Sequence, residues 1–213
     1  MGALVAAGGD LEGSEGRVSA PPAPPILLAS TSPQRRAILE QLRIPFDAVP
    51  PRYHEDDESV RDPLELVREH ALGKARSVAP EGRLTLGVDT TVVLGETVFA
   101  KPRDREDAAH MLRELAGKAH FVVSALCLLG PGLERVEHER TTVTFRALSE
   151  DLLMGYLDSG EWEGRAGAYA IQGLGGRLVE RIEGDYLNVV GLPGALLISL
   201  LEEHAPNVLE TPR

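Results

Sequence analysis

The stretch Leu28-Ala29-Ser30-Thr31-Ser32-Pro33-Gln34-Arg35-Arg36 sets three hydroxyls beside two guanidinium groups. That mixture suits an anion, phosphate above all, because hydroxyls donate to its oxygens and arginine forks match its geometry. Ile26 to Ala29 is a short apolar run that reads as a strand. Ser32 is a natural N-cap, Pro33 fits the first helical position, and Ile38, Leu39 and Leu42 follow at helical spacing. A strand running into a capped helix leaves free N–H groups and a positive dipole end at the junction. An ordinary capped surface helix with two solvated arginines gives the same local pattern, so the rest of the chain decides its meaning.

Asp89 is the next residue with chemistry to offer. Leu84 to Val88 reads as an apolar strand ending at Gly87-Val88-Asp89-Thr90-Thr91, with Val92 to Leu94 beyond. A carboxylate at the end of an apolar strand needs a partner, and open α/β sheets place ligand sites at such ends. Lys74 falls near the end of a helix opened by Asp62-Pro63-Leu64-Glu65, where a cation also suits the dipole. Lys101 lies in the loop Ala100-Lys101-Pro102-Arg103. Glu55, Asp56, Asp57 and Glu58 form an acidic run that reads either as a solvated loop or as a metal-binding one. Cys127 is the one cysteine, sits in the apolar run Phe121 to Leu129, and reads as a small buried hydrophobe.

Phe46 to Val49 reads as a second strand, and the helix after Asp62 runs to about Val78. Its apolar face is Leu64, Val67, Ala71, Leu72 and Ala75. A helix from Asp104 ends at Gly117, strands follow at Phe121 to Leu129 and Val136 to Phe145, and Ser149 caps another helix to about Leu157. Gly164 to Gly176 reads as tightly turning backbone, Arg177 to Ile182 as a strand, and Leu192-Pro193 opens a last helix through Leu201. Strands and helices alternate imperfectly, which predicts a mixed α/β (α+β) sheet rather than a regular dinucleotide-binding unit.

The composition is that of a globular protein with room for a full core, with 213 residues, 43% hydrophobic and 26% charged. Its formal net charge of −11 points away from nucleic acid as a partner, since a sequence-blind binder needs the opposite sign. A small anionic ligand stays compatible with it. No run reaches the length of a membrane span and no basic-then-apolar leader opens the chain, so the reading is cytoplasmic with no membrane partner. Residues 1–25, rich in Gly, Ala and Pro, read as a disordered tail.

Taken together, Ala29 to Arg36, Gly87-Val-Asp-Thr90, Ala100-Lys-Pro102, Ala166-Gly-Ala-Tyr-Ala-Ile-Gln-Gly173 and Val190-Gly-Leu-Pro193 resemble the motifs of the Maf (septum-formation-inhibitor-related) family. The resemblance spans Ile26 to about Glu203. It implies an ITPase-like two-lobed fold, a catalytic domain over 26–205 and a short tail at 206–213. It also implies a nucleoside triphosphate pyrophosphatase, a hydrolase of nucleotide-pool housecleaning that yields the monophosphate and pyrophosphate.

By the same resemblance, Ser30, Ser32 and Arg35 hold phosphate with Arg36 nearby, and Lys74 and Lys101 contact phosphate or the leaving group. Asp89 matches the catalytic aspartate, holding a divalent metal (Mg2+ or Mn2+) or orienting and deprotonating water. Glu55, with Asp56, falls where acidic metal-loop residues occur. Thr90 and Gln172 match positions tied to the base. Gln34 replaces an arginine associated with substrate choice, and Gly-Val-Asp-Thr stands for the commoner Gly-Ala-Asp-Thr. The Ala-Tyr-Ala-Ile-Gln-Gly block looks like the branch acting on dTTP and UTP, with 7-methyl-GTP as the alternative substrate. A nucleotide-binding regulator of septum formation or cell division is the alternative function, and a homodimer is the implied assembly.

Overall fold

The computed structural model describes residues 24–56 and 62–209. Most of the expected N-terminal tail, and Asp57 and Glu58 of the acidic run, lie outside the described residues. Seven strands form one mixed sheet in the order β2-β1-β3-β5-β6-β7, with β4 paired to β3. Strand β1 (Ile26–Ala29) leads through α1 (Pro33–Gln41) to β2 (Phe46–Val49), and α2 (Pro63–Val78) crosses back to β3 (Thr85–Leu94). Both β2 and β3 run parallel to β1 and flank it, so the chain reverses its direction of travel across the sheet at β1. Crevices beyond the carboxyl ends of strands at such a switch point are where open α/β sheets bind ligands.

The remaining strands, β4 (Thr97–Phe99), β5 (Ala119–Gly130), β6 (Leu133–Phe145) and β7 (Val179–Glu183), add antiparallel pairings. Helices α3 (Arg105–Leu115), α4 (Glu150–Asp158), α5 (Tyr186–Val190) and α6 (Gly194–His204) complete the fold. The sequence reading missed β4 and α5, both very short. It also split β3 in two: the strand continues unbroken through Asp89, which pairs with Ala125 of β5. The end that matters belongs to β1, whose pairing with β3 stops at Ala29 opposite Gly87.

Alternation along β3 sorts its side chains onto different cores. Leu86 and Val88 pack with Ile38 and Leu39 of α1 and Leu197 and Leu201 of α6. Farther along, Val92 joins Val122, Phe145 and Tyr169 against α3 and α4. Val93 packs with Val123, Ala125 and Cys127 against Val67, Ala71 and Ala75 of α2. Helix α2 lies close because β3 carries Gly87, where a Cβ would stand 2.1 Å from the carbonyl oxygen of Ala71. The expected C-terminal tail begins with a turn, Pro206–Val208, whose Val208 is buried against the α6 cluster, so the packed unit reaches past residue 205. Among the described residues no helix is long and apolar enough to cross a membrane.

Candidate active site

The junction of β1 and α1 forms one wall of a cleft of about 410 Å³. Ser32 caps α1 by accepting from the Arg35 N–H at 3.4 Å, with Pro33 in the first turn. The Ser30 hydroxyl accepts from the Ser32 N–H at 3.1 Å and from Arg35 Nη1 at 3.2 Å. Arg35 also donates from Nε to the Gly191 carbonyl at 3.0 Å and from Nη2 to the Thr90 hydroxyl at 3.3 Å. Arg35 thus locks the loop to β3 and to the end of α5. Gln34 lines the cleft and its amide oxygen accepts from the Ser32 hydroxyl at 3.2 Å.

Asp89 and Thr90, neighbours in β3, serve opposite faces of the sheet. Thr90 meets Arg35 and shares a 2.8 Å hydrogen bond with Ser124. Asp89 meets α2: its Oδ1 accepts from Lys74 Nζ at 2.5 Å, and Oδ2 lies 3.6 Å from His70 Nδ1. Lys74 also reaches Glu55 Oε1 at 2.8 Å. Its position near a helix end is incidental; the side chain is buried between two carboxylates. Burial alone would raise the pKa of Asp89, but His70, Lys74 and Arg35 outweigh it and hold the carboxyl below its ordinary value. The Asp89 carboxylate in turn raises the pKa of His70, more than burial lowers it.

His70 was not anticipated from the sequence. With Lys74 it occupies the buried stripe Val67-His70-Ala71-Lys74-Ala75, so two polar residues interrupting an apolar helical stripe were the available signal. Glu55, His70 and Asp89 each offer a ligand atom, and these atoms lie within 4.8 Å of one another. Two carboxylates and an imidazole form a donor set that a divalent cation accepts.

Lys101 also lines the cleft, as do Glu163, Gly164, Arg165 and Ala166 and the side chains of Val92, Val122 and Tyr169. Tyr169 is held by a 3.0 Å hydrogen bond between its hydroxyl and Nε2 of buried His120. The cleft therefore brings together Ser30, Ser32, Gln34, Arg35, Glu55, Lys74, Thr90 and Lys101, with Asp89 bonded directly to Lys74. Two anticipated residues stand apart. Arg36 is exposed on α1 and Gln172 is exposed beyond Tyr169, and neither lines the cleft.

A switch-point cleft lined by a hydroxyl-bearing loop at a helix start and by part of an acid–lysine–acid cluster defines an α/β protein whose cleft can take an anion beside a candidate cation site. The comparisons narrow this class. Residues 25–204 match the Maf-like protein family, and the chain belongs to it. It is 44% identical over 181 residues to a dTTP/UTP pyrophosphatase of Deinococcus radiodurans, covering 84% of this chain and 92% of that protein. Proteins with the same name from Ruminiclostridium cellulolyticum (41%, covering 84% and 95%) and Pyrococcus furiosus (42%, covering 83% and 94%) are similarly related.

Proposed function

We propose that this protein is a nucleoside triphosphate pyrophosphatase that prefers dTTP and UTP. The observation that carries the reading is that the β1–α1 loop shares one cleft with Glu55 and Lys74, and that Lys74 binds Asp89 directly behind it. The base preference follows the names of the relatives.

In this reaction water adds to phosphorus at the anhydride joining the α and β phosphates. That P–O bond breaks, pyrophosphate leaves, and the monophosphate retains the new oxygen. Ser30 and Ser32 bind phosphate oxygens at the start of α1, and Arg35 fixes their positions. Asp89, kept ionised by its neighbours, orients the attacking water and accepts its proton. Lys74 and Lys101 offset the charge that gathers on the leaving group. Glu55, His70 and Asp89 are the residues that would hold Mg2+ or Mn2+, which when bound neutralises phosphate charge. Val92 and Val122, apolar residues of the lining, take the flat face of the base.

The test is pyrophosphate release from dTTP, UTP, CTP, ITP, dATP and 7-methyl-GTP with magnesium or manganese. Faster release from dTTP and UTP, abolished in Asp89→Asn with nucleotide binding retained, is the expected result. No release from any substrate would sink the enzyme reading in favour of a nucleotide-binding regulator. Activity spread over purines and pyrimidines would keep the reaction and remove the preference, with Gln34→Arg the variant to restore it.

A further inference from the structure

Four cations line the cleft: Arg35, Lys74, Lys101 and Arg165. Two are committed within the protein, Arg35 to Ser30, Thr90 and Gly191, and Lys74 to Asp89 and Glu55. Arg165 is different. Its Nε is buried with no hydrogen-bond partner, and no side-chain ion pair engages it among the described residues. The protein thus leaves the Arg165 guanidinium without a compensating partner while the side chain lines the cleft, so an anion in the cleft is its natural complement.

The backbone brings this cation to a second one. The Gly167 N–H donates to the Ala100 carbonyl at 3.2 Å, tying the segment after Arg165 to the residue before Lys101. Gly167 stands at φ +68°, with the site of a Cβ 2.9 Å from Val92, so the segment turns tightly onto β3. Lys101 and Arg165 both line the cleft and their positive charges add there, and an arginine fork suits a phosphate presenting two oxygens.

We propose that Arg165 is a substrate-binding residue that grips the β and γ phosphates, the part of the nucleotide that leaves as pyrophosphate. This rests on the pyrophosphatase reading of the same cleft. Arg165 then acts in the same cleft as the β1–α1 loop and Lys101, and its contacts go to the leaving group rather than to the nucleoside.

The experiment is calorimetric titration of wild type, Arg165→Met and Arg165→Lys with inorganic pyrophosphate and, separately, with dUMP. Circular dichroism confirms that each variant is folded. Arg165→Met is expected to weaken pyrophosphate binding by about tenfold or more, the scale of a lost charge-assisted contact, and to leave dUMP within about twofold. Arg165→Lys, which keeps the charge, should recover part of the loss and stay folded where the methionine variant does not. Unchanged pyrophosphate affinity in either folded variant overturns the proposal, as does an equal loss for dUMP, which would place Arg165 at the nucleoside. If the wild-type protein neither binds pyrophosphate nor releases it from any triphosphate, the pyrophosphatase reading itself fails. If wild type does both and Arg165→Met binds pyrophosphate as tightly, only the role of Arg165 is lost.

Discussion

The ammonium of Lys74 lies 2.5 Å from Oδ1 of Asp89, so a lysine stands where the carboxylates of Asp89 and Glu55 would otherwise face each other. A cation held by Glu55, His70 and Asp89 must share that space with the ammonium. Lys74→Met is therefore expected to bind Mn2+ about tenfold more tightly than wild type in the absence of nucleotide, by calorimetry. The variant leaves Asp89 without its closest counter-charge, and breaking such a buried pair costs about 3–5 kcal/mol when nothing compensates. Its melting temperature should fall in chelator and recover with Mn2+, while hydrolysis stays low. Equal Mn2+ affinity in the two proteins would show that the lysine and the metal do not compete.

Gly87 sets the distance between β3 and α2. A methyl group there would stand 2.1 Å from the Ala71 carbonyl oxygen and 2.9 Å from the Ala75 side chain, so the helix must retreat. Overpacking of this kind costs about 1–3 kcal/mol. Gly87→Ala should lower the urea midpoint with an unchanged slope. It should also slow pyrophosphate release by more than about tenfold, because His70 and Lys74 move away from Asp89 with the helix. A stability loss with full activity would mean that the placement of α2 does not govern the chemistry.

His120 supplies a pH dependence of stability. Burial pushes its pKa down to about 4 in the folded protein, against about 6.5 for an exposed imidazole. Between those values the unfolded chain holds the proton more strongly, so stability rises with pH. The contribution is complete above about pH 6.5 and is lost progressively as the pH falls toward 4. From pH 7 to pH 5 the loss is about 2 kcal/mol. His70, whose pKa is raised, acts in the opposite direction and is common to wild type and variant. Urea unfolding of wild type and His120→Phe at both pH values should show a smaller acid loss in the variant. Parallel losses would remove His120 from the account.

What could be read from the sequence was whatever is encoded locally. The strand, cap, proline and hydroxyls of the β1–α1 junction fall within a dozen residues, and they specify the loop without help from the rest of the fold. Lys74 illustrates the opposite case. A helix-end dipole explained it from its neighbours, whereas its partners Glu55 and Asp89 arrive from other elements. Arg36 shares its composition with Arg35 but sits about 100° farther round α1, which takes it from the cleft to solvent. Asp89 stood out in the sequence as a carboxylate in an apolar run. Its placement inside a continuous strand depends on pairing with β5, which no local pattern carries. Arg165 offered no signal at all, since a lone arginine in a glycine-rich turn becomes informative only when its missing acceptor can be seen.

Asp89 and Thr90 are consecutive, yet they meet different elements, Asp89 facing Lys74 and His70 of α2 and Thr90 facing Arg35 of α1 and the Gly191 carbonyl after α5. Substitutions that reshape the α1 side can alter how the ligand is held while leaving the bed beneath the acid–lysine pair untouched, and the reverse is also true. The strand acts as a partition between two tunable modules. A lineage built on this fold can change what it accepts without rebuilding the means of cleaving it. The same partition tells a protein engineer to randomise Gln34 and its neighbours on α1 while holding α2 fixed.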